Sequence, residues 1–531
     1  MKNQTFFGAA LLALALPTIA EAQQTRPNII VILADDMGYS DLGCFGSEIN
    51  TPNLDRLSNE GMRMTQFYNT GRSCPSRAAL LTGMYHHKAG VGAMANAMGE
   101  LPAYQGFLND SCMTIAEALR TNGYSTYMSG KWHVGTERPH WPVDRGFDRS
   151  FAFIKGAGNY FYPGGVQPME KLHSAGMAIN DQNYEPPRDG YYQTDAFTEN
   201  AVKFIKEDKR EKPFFLYLAY TAPHWPLQAL PEDIAKYKGK YDKGWDTMRE
   251  ERYNKMVKMS IVKSEWKLPN RDGAVPEWKS LNDSTKNYWS KMMEIYAAMI
   301  DRMDQGIGKV IAELERTKQL DNTLIMFVAD NGACAESFNK KYEKFTGEMG
   351  SGSSFLAYEA NWANVSNVPF RFFKHWMHEG GISSPFIACY PKVIKAGSIS
   401  SEPAHLIDIM ATCLDVTKTV YPQKTNSKLK SLDGVSLLPV LKGKKQTLHD
   451  VIFYEHLGFR ALRKGDYKIV STYPKNEWEL YNISTDRTEL NDLSKTMPEK
   501  LKELDNIYTL MAQKNDVTEW SKVTKERKAK K

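Results

Sequence analysis

Four stretches of the chain run almost unbroken in apolar residues and stop abruptly at polar ones. They are Asn28 to Ala34 before Asp35-Asp36, Pro213 to Tyr220 before Thr221-Ala222-Pro223-His224, Leu324 to Ala329 before Asp330-Asn331-Gly332, and Pro385 to Tyr390 before a proline. A run without hydrophobic alternation predicts a strand buried on both faces, as in a parallel sheet covered by helices. Between them the period changes to that of helices. Thr114-Ile115-Ala116-Glu117 is a capping box opening a helix that ends at Gly123. Met299, Met303, Ile307, Val310 and Leu314 share one face of a helix expected over Tyr296 to Leu314. The alternation predicts an α/β fold: a large mixed, mostly parallel sheet sandwiched by helices. Three of the strands carry polar residues just past their C-terminal ends, where such sheets place ligands.

The pattern changes twice more. From about 232 to 291 it weakens into Lys, Glu, Asp and Trp, read as a helical surface insertion. After Leu432-Asp433-Gly434 short strand-like pieces follow at Val451 to Tyr454, Phe459 to Lys464, Tyr467 to Val470 and Trp478 to Tyr481. They predict a small C-terminal α+β domain with an antiparallel sheet and a terminal helix. The Lys-rich tail from Lys522 reads as a solvated, frayed end. At the start, Lys2, an apolar run from Phe6 to Ala20 and Ala20-Glu21-Ala22 read as a cleavable export signal. The expected organisation is a signal peptide over 1–22, a catalytic α/β domain over 25–435 and the small domain over 436–531. The mature protein is expected to be exported, periplasmic or secreted, with no membrane span.

Composition adds exclusions. With 42% hydrophobic and 24% charged residues, the 531-residue chain is neither disordered nor a rod. A net charge of +6 over this length is too mild to argue for nucleic acid. Six cysteines are too few for a disulfide scaffold, and no pairing is legible.

The chemistry sits at the strand ends. Adjacent carboxylates at Asp35-Asp36 repel unless neutralised, and Asp330-Asn331 supplies further hard oxygens. Together they suit Ca²⁺ or Mg²⁺ rather than zinc, although each pair alone would serve equally as a cap or turn. Gly71-Arg72-Ser73-Cys74-Pro75-Ser76-Arg77, continuing to Leu80-Leu81-Thr82-Gly83, places a small nucleophile-type residue near a helix N-terminus, which favours an anion.

These residues match the signature of the type I sulfatases, and the chain resembles that family of the alkaline-phosphatase superfamily from Pro27 to about Asp415. The resemblance is expected to extend through the C-terminal domain. In the family the modified residue lies two positions before the proline and four before the arginine. That count falls on Ser73 rather than Cys74. The resemblance implies that a dedicated maturation enzyme oxidises Ser73 to formylglycine. It implies one Ca²⁺ per chain held by Asp35, Asp36, Ser73, Asp330 and Asn331. Gly130-Lys131-Trp132-His133 matches a family Gly-Lys-x-His motif, His224 stands between prolines, and Lys374 lies five residues before Glu379-Gly380-Gly381. Without the resemblance, Lys131 and His133 would read as solvated loop residues and His224 as part of a rigid turn.

The implied roles follow. Arg77, Lys131 and Lys374 neutralise sulfate, and Arg77 holds the hydrated aldehyde. Asp330 takes the proton of the attacking hydroxyl, His224 with Lys374 protonates the leaving alcohol, and His133 deprotonates the remaining hydroxyl. Arg371 is left out as a surface charge, and His86, His87, His375, His378 and His456 are without a role. The expected substrate is a sulfated carbohydrate of mucin or glycosaminoglycan type. Aryl sulfates, a phosphonate or phosphate monoesterase activity, and a non-catalytic binder of sulfated glycans are the alternatives. Tyr160, Trp225 and Trp362 are candidates for stacking on the leaving group, or packing residues.

Overall fold

A computed structural model describes residues 26–96, 100–162, 176–208, 211–340 and 347–529. The export signal expected over 1–22 lies outside them. The main sheet is built from β1 (Asn28–Ala34), β2 (Met62–Tyr68), β3 (Ser125–Lys131), β4 (Arg149–Phe153), β5 (Met177–Ile179), β6 (Gln182–Tyr184), β7 (Phe214–Ala219), β8 (Thr323–Ala329), β9 (Ser383–Cys389) and β10 (Ser398–Ser400), with β11 (Ala404–His405) paired to β2. Their order is β10-β2-β9-β8-β1-β7-β3-β4-β5-β6. The central strands β8, β1, β7, β3 and β4 are mutually parallel. The flanking pairs β8–β9, β9–β2, β4–β5 and β5–β6 are antiparallel.

β1 shows why its sequence lacks alternation. Ile30, Ile32 and Ala34 enter one hydrophobic cluster, while Ile29, Val31 and Leu33 enter another. Successive side chains point to opposite faces, and both faces are covered, so every position is apolar. The capping box at Thr114 forms as expected, opening helix Ile115–Thr121.

The helix expected over 296–314 runs from Asp283 to Arg316, because the Asn282 side chain caps the Thr285 N–H. Its first turns are polar, so the apolar stripe becomes visible only from Met292. Nor is segment 232–291 a surface elaboration. Trp245, Trp266 and Trp278 are buried in the first cluster, with Trp245 packed edge-on to Trp278 and Trp362. Arg252 reaches Asp41 at 2.7 Å beneath the end of β1. The burial is carried by a few large aromatics at irregular spacing, which leaves no period to read.

The C-terminal sheet is antiparallel in the order β12 (Val451–His456), β13 (Phe459–Lys464), β14 (Tyr467–Ser471), β15 (Trp478–Asn482). Phe453, Leu462, Ile469 and Leu480 join the second main cluster, and Tyr454, Ala461, Val470 and Tyr481 pack with Tyr68, Met377 and Ile382. Two helices follow instead of one, Pro498–Lys514 and Trp520–Ala529. The tail beyond Lys522 is therefore not frayed from that point: Val523 is fully buried against Ala93, Ala103 and Tyr104. All six cysteines are free, buried thiols. Among the described residues no helix is long and apolar enough to cross a membrane.

Candidate active site

Four neighbouring parallel strands deliver the polar residues to one place. Asp35 and Asp36 follow β1, Asp330 and Asn331 follow β8, Lys131 ends β3, and the turn after β7 carries His224. Lys131 is thus a strand residue, fully buried, rather than part of a loop. The backbone is held in the left-handed region at Asp36 (φ 64°) and His133 (φ 57°). Non-glycine residues rarely stay there unless their surroundings fix them, a condition common at functional sites.

Helix Ser73–Thr82 supplies the rest, and the motif spacing explains itself. Pro75 falls in the first turn, where a missing N–H costs little. The Ser76 hydroxyl sits 2.8 Å from that of Thr70 and braces the approach to the helix. Four residues apart, Ser73 and Arg77 share one helix face. Arg77 is fully buried and spends its donors on Ser73 Oγ (Nε, 3.0 Å), the Lys131 carbonyl (2.8 Å) and Asp330 Oδ2 (3.2 Å). Ser73 Oγ in turn donates to Asp35 Oδ1 at 3.3 Å. Cys74 points elsewhere, with Sγ 3.2 Å from His133 Nε2, and burial pushes its thiol up to about 11. Such a thiol is inert at neutral pH.

On the opposite side, Lys374 Nζ donates to Asp36 Oδ2 at 2.9 Å and lies 3.5 Å from His224 Nε2. His224 Nδ1 is 2.6 Å from the Trp225 carbonyl, which can only accept, so Nδ1 carries hydrogen and Nε2 faces the ammonium. Burial alone would lower Lys374, but Asp36, Cys334 and Glu336 outweigh it and hold the amine well above its ordinary value. Burial would likewise raise Asp35, yet Lys131, His224 and Arg77 keep it well below the carboxylate range. Lys131 makes a short ion pair with Asp35. Asp330 is pushed up to about 7 by burial and the Asp35 carboxylate, with Arg77 opposing.

The donor set fits a hard cation. Ligand atoms of Asp35, Asp36 and His224 lie within 4.8 Å of one another. Asn331 Nδ2 donates to Asp36 Oδ1 at 2.8 Å, leaving its buried Oδ1 with no donor among the described residues. An orphaned carbonyl oxygen beside carboxylates is what an oxygen-preferring cation would satisfy.

All the expected residues therefore meet around one pocket. His133 lies against Cys74 rather than Ser73. Two further charges border the site: Arg72, which stands in the signature stretch just before the helix but without an implied role, and Glu336, which follows Asn331 with no motif around it. Of the stacking candidates, Trp362 is wholly buried in the core, and Tyr160 is buried with its hydroxyl donating to the carbonyls of Thr221 and His224. Tyr160 braces the turn that carries His224, and Trp362 packs in the core with its indole donating to the Trp289 carbonyl. Trp225 is partly exposed, its ring centroid 4.5 Å from that of His224. His86, His87 and His456 form a buried cluster of rings, with His87 Nε2 2.6 Å from Glu455.

The Glu379-Gly380-Gly381 turn anchors the Lys374 loop. A Cβ on Gly380 would meet the Arg371 carbonyl at 2.2 Å and one on Gly381 the Trp376 carbonyl at 1.9 Å, so only glycine fits. Glu379 is fully buried between Lys468 (3.0 Å) and Arg487 (2.7 Å), and Lys468 also bonds Glu489 at 2.8 Å. Against the upward push of burial, Lys468 and Arg487 hold Glu379 down to about 2. Lys468→Met leaves two buried carboxylates short of a partner. It should cost about 3–5 kcal/mol, read from the urea midpoint. A depressed folded-state value means that this contribution is present above the ordinary glutamate value of 4.5 and is lost as the pH falls toward about 2. Wild-type stability measured across that window should fall accordingly.

Comparison with known proteins places this site. The family model described as "Sulfatase" matches residues 27–419, and one described as "N-sulphoglucosamine sulphohydrolase, C-terminal" matches 370–516. An uncharacterized sulfatase of Schizosaccharomyces pombe is 35% identical over 522 residues, covering 91% of this chain and 93% of the relative. An arylsulfatase of Klebsiella aerogenes is 35% identical over 460 residues, covering 83% and 98%. The crystal structure of Ps i-CgsB in complex with k-i-k-neocarrahexaose superimposes with a TM-score of 0.68 at 28% identity, covering 93% of this chain and 94% of that one.

Proposed function

Since the chain belongs to the sulfatase family and is a sulfuric ester hydrolase of the type I, alkaline-phosphatase superfamily, we propose that it removes O-sulfate from extracellular glycans using a formylglycine derived from Ser73 and one Ca²⁺. The observation that carries the reading is the placement of Ser73 Oγ between Arg77 Nε and Asp35 Oδ1 at the first residue of a helix. Asp35, Asp36, Asp330 and Asn331 would hold the cation, with the residue-73 oxygen completing the set. When present, the cation polarises the sulfate ester and the aldehyde hydrate offers one hydroxyl for attack and another for release.

Arg77 orients the side chain at position 73 and, with Lys131, offsets sulfate charge, the kind of preorganised stabilisation that usually dominates catalysis. Asp330 Oδ2, already in the Arg77 bond, accepts a proton from the nucleophile. As the S–O bond breaks, the electron pair goes to the leaving oxygen, which takes from His224 Nε2 the proton that the Lys374 ammonium passes to that nitrogen. His133 Nε2 accepts the final proton. Such groups contribute about 10²–10⁴-fold each.

A glycan leaving group is supported by the hexaose bound to the solved relative and by the partly exposed Trp225 beside His224. Catalytic residues 25–435 and a C-terminal unit from 436, an exported location and a maturation enzyme are part of the same reading. The test is a panel of defined monosulfated sugars with free sulfate as the readout. Cleavage of at least one at a kcat/KM well above that for aryl sulfates is expected. Preference for aryl sulfates or phosphonate monoesters throughout would overturn the glycan reading.

A further inference from the structure

Glu336 is a carboxylate at the mouth of a pocket meant for an anion, a placement that repels the substrate unless it does something else. Its side chain is 27% exposed, and both oxygens are engaged. Oε1 accepts from Arg72 Nη2 at 2.9 Å. Oε2 accepts from the Trp225 indole N–H at 2.9 Å, lies 3.3 Å from Cys334 Sγ and sits 3.5 Å from Lys374 Nζ. One side chain thus ties the residue before the nucleophile, the aromatic wall beside His224, and the lysine behind His224. Trp225 is further buttressed by Phe338 at 4.7 Å and Phe355 at 5.7 Å between ring centroids. Besides Glu336, His224 touches both Trp225 and Lys374, so the carboxylate closes a ring of contacts around the imidazole.

The bonding has a direction. Lys374 has two carboxylates to choose between, Asp36 at 2.9 Å and Glu336 at 3.5 Å, and lies between them within reach of His224 Nε2. Without the outer carboxylate, Asp36 alone of the two would hold the ammonium. The indole loses its anchor in the same change.

We propose that Glu336 is a positioning residue for departure of the alcohol: it holds Lys374 and Trp225 in the geometry from which the leaving oxygen receives its proton. The inference rests on the proton-transfer roles given above for His224 and Lys374. It carries a chemical signature. A nitrophenolate departs as an anion and needs no proton, whereas a phenoxide needs more help and a sugar alkoxide most. Loss of positioning therefore penalises poor leaving groups selectively, while general damage to the site penalises all alike.

The experiment compares Glu336→Gln with wild type on 4-nitrophenyl sulfate, phenyl sulfate and a monosulfated sugar, with sulfate release as the readout. Glutamine keeps the shape and an acceptor for Trp225 but removes the charge facing Lys374. Relative to 4-nitrophenyl sulfate, kcat on the poorer leaving groups should fall by a further factor of about 10 to 100, so that log kcat depends more steeply on leaving-group acidity. An equal factor on every ester, or none on any, overturns the inference while leaving the sulfatase reading intact. Wild-type protein that releases no sulfate from any of the three overturns the function proposed above, and this inference with it.

Discussion

Ser73→Ala should abolish turnover, by about 10⁴-fold or more, in a protein whose thermal midpoint is little changed. Ser73 Oγ is the atom that Arg77 and Asp35 address. The informative partner is Cys74→Ala. Cys74 is wholly buried in the second core cluster with its sulfur against His133, and its removal takes away one sulfur without touching the nucleophile. That variant should keep substantial activity. A mass spectrum of the peptide containing Ser73 adds an independent readout: loss of two hydrogens marks the aldehyde. If the alanine at 73 were active and that at 74 dead, the register of the whole motif would shift by one.

Metal removal should be almost as severe. Asp35, Asp36 and Asp330 crowd three carboxylates into a pocket from which solvent is excluded, and Asn331 Oδ1 has no donor among the described residues. Lewis-acid stabilisation is worth several kcal/mol, so exhaustive chelation should lower kcat by about 10³-fold, and added Ca²⁺ should restore it. The same titration should raise the thermal midpoint, because a cation that binds only the folded state stabilises it by mass action. Full activity in thoroughly chelated protein would remove the cation from the account.

Much of this was legible before any coordinates. β1 announces itself because a strand sealed on both faces has no polar position to break its run, and the same property marks the strand ends where the carboxylates stand. Ser73 and Arg77 are legible as a pair because helical spacing of four puts them on one face. What was not legible has equally physical reasons. Lys131 reads as a loop residue because strands seldom bury a lysine, and the carboxylates of Asp35 and Asp330 across the sheet make that tolerable. Glu336 carries no local pattern: its meaning lies in Arg72, Trp225 and Lys374, which are remote in sequence and adjacent in space. Segment 232–291 hides its contribution because three tryptophans bury much surface without any period. The last helix hides behind its lysines, since its apolar contact is carried by Val523 and Trp520, too few to show a period.

The ion cluster around Glu379 has a consequence for the order in which the molecule is made. The lysine that faces His224 is set by a turn whose buried carboxylate is neutralised by residues 468 and 487, more than ninety positions downstream on average. A nascent polypeptide emerging from a ribosome exposes Ser73 early, but lacks the counter-charges for Glu379 until residues 468 and 487 have followed. The hydrolytic centre is therefore finished last, by the part of the protein that contributes no atom to the chemistry.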